Sequence, residues 1–309
     1  MSALSTVCGY LAEGIEVEDT FAEAFGMTAA RLIVTAETAA WARIAGQTAT
    51  GYATSVIACD AEAGVERELE PDQTPDGRPG VRLLIFALSR DALEKALVKR
   101  VGQCVMTCPT TACYNDWPLD DRAIVVGGKL RYFGDGWQIA KLVGERRFWR
   151  MPTMDGEFAC EERFGTLKGV AGGNLLFQGT TPTGTLEAAT RAVAAIRAQC
   201  EDVILPFPGG IARSGSKVGS KYQMLRASVN DAYAPTLRGL VASALPESVQ
   251  CVYELVIDGL SFDAVAQAMR VGLTQPDFRG LGLARVSAGN YGGKLGPYHF
   301  HLRDLLNPP

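Results

Sequence analysis

Histidine is almost missing from this chain: two of 309 residues, His299 and His301, both in YHFHL. So few imidazoles exclude a histidine-rich metal centre, and no metal site is expected. Their i, i+2 spacing puts both rings on one face of a strand, read as a structural face ahead of a catalytic one. Positive charge is not in excess either. The 30 Lys and Arg stand against 34 Asp and Glu, for a net charge of −4, which disfavours a nucleic-acid partner. No apolar run approaches the roughly 20 residues that span a bilayer. The longest, such as VRLLIFAL from Val81, are strand-sized, so no membrane association is expected. The opening MSALSTVCGYLAEGIEVED is acidic and lacks the basic segment and apolar stretch of a secretory signal. The eight cysteines lie in apolar segments and not at framework spacings, and read as free thiols of a cytoplasmic protein. Cys104, Cys108 and Cys113 have neither the paired short spacings of a zinc site nor the tight spacing of an iron–sulfur cluster. A serine-nucleophile elbow is absent too: Gly215 and Gly219 flank Lys217, not a serine.

What the chain does have is glycine, 34 residues, gathered in loops. The richest segment is LPFPGGIARSGSKVGSKY, residues 205–222, directly after the apolar VIL. Gly209, Gly210, Arg213, Ser214, Gly215, Ser216 and Lys217 make it a cradle of backbone N–H groups, hydroxyls and cations for an anionic or amide-bearing ligand. A second cradle, SAGNYGGKLGPYHFHL at 287–302, contributes Asn290, Tyr291 and Lys294. In an acidic protein, cations interleaved with Gly and Ser favour anion recognition over a merely solvated loop. Gly210 and Gly215 have the spacing of a phosphate loop, but Ser216-Lys217 reverses the Lys-Ser/Thr order that motif needs, so a nucleotide-binding protein stays a minor alternative. Glu254 is the most unusual charge, set in the apolar strand VYELVI. It reads equally as half of a buried ion pair with a cradle cation or as a general acid/base near neutrality.

Two halves share a weak repeat. RLIVTAETAAWARIAGQTATGYATSVIAC and GGNLLFQGTTPTGTLEAATRAVAAIRAQCEDVILPF both read as strand, Ala-rich helix, turn, strand. Each is followed by a second unit, with helix starts at Ser89 or Asp91 and at Ser261 or Asp263. The expected fold is α+β: two similar split β-α-β lobes, helices packed on antiparallel or mixed sheets. The seam falls in MPTMDGE, giving lobes at 1–150 and 151–309. PDQTPDGRPG is a turn-rich loop inside the first lobe, and a β-hairpin is expected with its turn at Gly134–Gly136.

These motifs resemble, in order and nearly end to end, the formylmethanofuran:tetrahydromethanopterin formyltransferase family. The matching strings include EVEDTFAEAF, ATGYATSVIACDAEAGVE, GQCVMTCPTTA, LRYFGDG, GGNLLFQG, PFPGGIARSGSKVGSKY, YELVIDGL and SAGNYGGKLGPYHFHL. The resemblance implies two ferredoxin-like lobes and an acyltransferase with no prosthetic group. Such an enzyme moves a formyl group between N5 of tetrahydromethanopterin and the amine of methanofuran or methylofuran, both carrier co-substrates. It also implies a homo-oligomer and/or a hetero-complex with formyl-hydrolase subunits. Glu254 matches the glutamate of the family's YE motif and becomes the candidate catalytic residue, with Ser214, Ser216 or Asn290 as candidate oxyanion donors. The Ala-rich composition, mild charge and eight cysteines resemble the members found in methylotrophic bacteria, which serve as one subunit of a formyltransferase/hydrolase complex. A non-catalytic scaffold subunit is the remaining alternative.

Overall fold

The computed structural model describes residues 6–307. Its helices begin where a hydroxyl can stand in for the missing previous turn. Thr38, Ser89, Thr181 and Ser261 all have extended backbone, and each accepts a hydrogen bond from the N–H three residues on. The helices they start run Ala39–Thr50, Arg90–Arg100, Pro182–Gln199 and Phe262–Thr274. At two of these starts the sequence left a choice, and the cap is the serine and not Asp91 or Asp263.

By their contacts the residues form two compact units, Met27–Gly169 and Met1–Gly26 together with Val170–Pro309. They differ from the sequence segments 1–150 and 151–309, and strand pairing explains the early residues. Glu16–Glu18 lies parallel to Leu283–Ser287, and Phe21 to Ala24 pair antiparallel with Tyr298–His301.

In the unit Met27–Gly169, four strands and two helices alternate as β-α-β-β-α-β. The strand Glu62–Leu69 pairs with Gly80–Ala87, which pairs with Phe21–Thr35, which pairs with Ala112–Asn115, all antiparallel. The other unit repeats this order with Val203–Ile204, Cys251–Gly259, Leu167–Gly179 and Leu283–Ser287, again antiparallel throughout. That is the split β-α-β plan, twice. Two details differ from the sequence reading. Residues 55–59 curl into a turn, with the Ala58 and Cys59 N–H groups both donating to the Ser55 carbonyl, and the strand starts only at Glu62. The hairpin joins Ile139–Val143 to Arg146–Thr153 through Gly144, while Gly127–Leu130 and Arg131–Gly134 are helical, so Gly136 ends a helical turn and is not the hairpin tip.

In the unit holding the two cradles, alternate strand residues divide the labour. Leu175, Phe177, Leu255, Ile257 and Val286 face the two helices and join Ala188, Ala192, Ile196, Val265, Ala268 and Met269 in one core. Small residues let the layers approach closely. A Cβ on Gly173 would lie 2.3 Å from Val265 Cγ1. The opposite set, Asn174, Leu176, Val252, Glu254 and Ser287, underlies a long insertion at 205–250 between the second and third strands of the repeat. The equivalent connection in the other unit is only the 70–79 turn.

Replacing Gly173 with Ala should lower unfolding free energy by about 1–3 kcal/mol in urea titration, the usual range for overpacking. Unchanged stability would show that the helix is not held against the sheet at this point.

Candidate active site

Glu254 lies mid-strand, where its chain neighbours Val252 and Val256 share its face. Its backbone is bonded to the first cradle: the Ala212 N–H donates to the Glu254 carbonyl at 2.7 Å, and the Glu254 N–H donates to the Ala212 carbonyl at 2.9 Å. The loop after Ala212 is thereby drawn over the carboxyl. Asn174, on the adjacent strand, donates from Nδ2 to Glu254 Oε1 at 3.2 Å. Glu254 has no ion-pair partner among the described residues; Lys217, in the cradle beside it, pairs with Asp231 at 2.7 Å. Of the two readings, a buried ion pair is therefore not what the structure builds. Burial raises the Glu254 carboxyl from its ordinary 4.5 to about 7, and the Asn174 hydrogen bond offsets only part of that.

The second cradle is organised by a different carboxylate. Glu23, fully buried on the Phe21–Thr35 strand, accepts four backbone N–H groups. Tyr291 and Gly293 donate to Oε2, each at 3.0 Å, while Leu295 and Gly296 donate to Oε1. Burial pushes the Glu23 carboxyl up, but these four donors together outweigh it and hold the group below its ordinary value. With its backbone fixed, Tyr291 directs its hydroxyl to the Ser216 carbonyl at 3.2 Å, tying the second cradle to the first. Burial, and then the nearby Glu254 and Glu23 carboxylates, raise the Tyr291 hydroxyl to about 12, so it stays a donor across the working range.

The two cradles enclose a cavity of about 420 Å³. Leu176, Val252 and Glu254 come from the sheet, Ala212 to Ser216 from the first cradle, Gly289 and Tyr291 from the second. Val229, Asn230 and Tyr233 to Thr236 close it from the rest of the insertion.

Of the residues singled out in the sequence, Glu254, Arg213, Ser214, Gly215, Ser216 and Tyr291 line this cavity. Gly209 and Gly210 do not. They form a tight turn at φ of 67° and 90°, and Gly210 packs on Val193. Asn290 also stands outside the lining, where it accepts from the Gly292 N–H and donates to Thr20 Oγ1, shaping the loop. Lys217 is occupied by Asp231, and Lys294 is exposed beyond the lining. His299 and His301 pack at a tilt against Phe21, at 4.7 and 5.0 Å between ring centres, on one strand face as expected. Gly215 runs into the strand Ser216–Val218 and opens no helix, so the phosphate-loop alternative lacks its structural context. All eight cysteines are free.

Sequence reasoning missed Asn174, Glu23, Asn230 and Tyr233. Glu23 carried a usable signal, a lone acid in the apolar FAEAF, the same pattern that exposed Glu254. Asn174 in GGNLLFQG carried none beyond being polar in a buried strand.

A carboxyl near neutrality, under loops rich in hydroxyls and N–H groups, is an arrangement chemically able to exchange a proton during group transfer. Comparison with known proteins identifies the family. The family model described as formylmethanofuran-tetrahydromethanopterin formyltransferase matches residues 11–153, and its proximal-lobe model matches 156–305. The chain is 52% identical over 295 residues to the formylmethanofuran–tetrahydromethanopterin formyltransferase of Methylococcus capsulatus, covering 95% of this chain and 98% of that one. It is 53% identical over 304 residues to a subunit of the formyltransferase/hydrolase complex of Methylorubrum extorquens, covering 96% and 97%. Among solved structures, the Methylorubrum extorquens formyltransferase/hydrolase complex with methylofuran superposes with a TM-score of 0.91 at 52% identity, over 97% of this chain and 99% of that chain. This chain belongs to the formylmethanofuran–tetrahydromethanopterin formyltransferase family.

The raised Glu254 carboxyl has a stability signature. A group whose pKa is higher folded than unfolded stabilises the fold fully below its unfolded value, here about 4.5, and loses that contribution as pH rises through about 7. Glu254→Gln removes the titration. The variant should therefore gain on the wild type by about 3 kcal/mol between pH 4.5 and pH 8, read as a widening difference in chemical-unfolding midpoint. A difference that stays level with pH would mean that Glu254 titrates normally.

Proposed function

We propose that this protein is a formyltransferase that moves a formyl group between N5 of tetrahydromethanopterin and the primary amine of methanofuran or methylofuran, by direct acyl transfer with both carriers bound. The observation that carries this reading is the meeting of both glycine-rich loops over a carboxyl held near neutrality. The accepting nitrogen attacks the formyl carbon, and the carbonyl oxygen gains negative charge. Glu254 in its ionised form takes the proton from the attacking nitrogen and returns it to the departing one as the carbon–nitrogen bond breaks. At about 7 the group is populated in both forms at neutral pH, so it serves as base and then as acid in one turnover. A Cβ at Gly215 would lie 3.7 Å from Glu254 Oε2, so glycine there leaves that oxygen uncovered. Ser214, Ser216 and the loop N–H groups are the donors within the cavity for the developing oxyanion. Arg213, on the cavity wall and without an ion-pair partner among the described residues, suits the anionic tails of the carriers. No enzyme ester is needed, since holding two reactants in register supplies much of the rate.

The likeness to a subunit of the Methylorubrum extorquens complex supports assembly with formyl-hydrolase subunits, alone or beside self-association. No helix among the described residues is long and apolar enough to cross a membrane. A scaffold subunit would have no use for a carboxyl kept near neutrality in a cavity, which weighs against that alternative.

With both carriers supplied, Glu254→Gln should lower kcat by roughly 10²–10⁴, the range for loss of a general acid–base, and leave the KM for each carrier within a few-fold. The wild-type kcat profile should inflect near pH 7. Full turnover in Glu254→Gln would remove the residue from the mechanism.

A further inference from the structure

Glu23 lies outside the cavity lining, yet its carboxylate accepts four backbone hydrogen bonds from one loop. What that investment holds in place is visible one step further on. The Gly289 N–H donates to Asn174 Oδ1 at 2.6 Å. A backbone N–H can only donate, so it must meet the amide oxygen and leave Nδ2 for the other side. That other side is Glu254 Oε1, at 3.2 Å. Reversed, the amide would set its oxygen against the carboxyl and repel the ionised form. Gly289 is itself fixed from Glu23 twice. Its carbonyl accepts the Glu23 N–H at 3.2 Å, and the Glu23 carboxylate grips Tyr291 only two residues along. The fit is close: a Cβ on Gly289 would stand 2.5 Å from Asn174 Nδ2.

We propose that Glu23 is a positioning residue for formyl transfer: through Gly289 it locks the Asn174 amide with its donor end on Glu254, and so sets the pH at which Glu254 can act. This inference rests on the acid–base role given to Glu254. The lock holds by geometry, through a donor-only group on one end of an amide and a carboxyl on the other. The other titratable groups facing this cavity are Arg213, Tyr233 and Tyr291, with Glu23 itself bound to the 289–296 loop. Among the described residues the Asn174 hydrogen bond is what opposes the effect of burial on Glu254. Releasing the amide therefore raises the Glu254 titration, a change that a purely structural role for Glu23 would not produce.

The test is a ¹³C-carboxyl titration of Glu254 in the full-length protein, with the resonance assigned by its loss in Glu254→Gln. Asn174→Ala removes the donor, Gly289→Ala pushes the amide aside, and Glu23→Gln loosens the loop from behind. Each should raise the midpoint, by on the order of one pH unit where the donor is lost outright. If Glu23→Gln does not fold, Glu23→Asp is read in its place, since it keeps the charge and withdraws both oxygens by one methylene. An unchanged midpoint in Asn174→Ala and Gly289→Ala overturns the lock. A shift in those two with none in the Glu23 variant overturns the role of Glu23. The titration does not depend on turnover, so a shifted midpoint beside full activity of Glu254→Gln would uphold the lock while refuting the transfer mechanism.

Discussion

A carboxyl taken out of water must be paired, hydrogen-bonded or protonated. This chain solves that problem two ways within one unit, and the site follows from the contrast. Glu23 is given four N–H donors and remains an anion, so it can hold a glycine-rich loop that would otherwise have no reason to keep one shape. Among the described residues Glu254 has one side-chain donor and no cation, so it stays within reach of a proton at neutral pH. The first carboxylate shapes the loop that forms part of the wall, and the second lines the cavity behind it.

The fold supplies the place for this. Each split β-α-β repeat buries one sheet face under two helices and leaves the other for something else. In the unit holding the cradles, that second face carries Asn174 and Glu254, and the 205–250 insertion lies over it. The two-hydrogen-bond bridge from Ala212 to Glu254 fixes where the insertion begins to cover the strand. Tyr291 then joins the two loops at Ser216, so neither cradle is shaped alone. Positioning by backbone groups suits a reaction that needs two large carriers aligned and one proton moved.

Much of this is legible in the sequence because local chemistry dictates it. Helix starts near 89–91 and 261–263, the doubled strand-helix pattern and the cradles at 205–222 and 287–302 all declare themselves through residue type and spacing, though the choice of serine over aspartate as cap does not. Glu254 stands out because a charge in VYELVI conflicts with its neighbours. Glu23 in FAEAF offers the same conflict, but nothing in a linear reading connects it to donors some 270 residues away. The hairpin turn falls elsewhere than expected for a related reason: glycines at 134, 136 and 144 look alike, and only packing decides which one turns the chain. That Lys217 spends its charge on Asp231 and not on Glu254 is likewise a matter of three-dimensional proximity.

The most direct test of the whole account is a crystal structure with both carriers bound, one of them as an unreactive formyl analogue. The account predicts the formyl-bearing nitrogen within hydrogen-bond reach of Glu254 Oε2, about 2.6–3.2 Å, with the formyl oxygen toward the 213–216 loop. Carriers seated with the formyl carbon away from Glu254, or with another ionisable side chain between them, would contradict it.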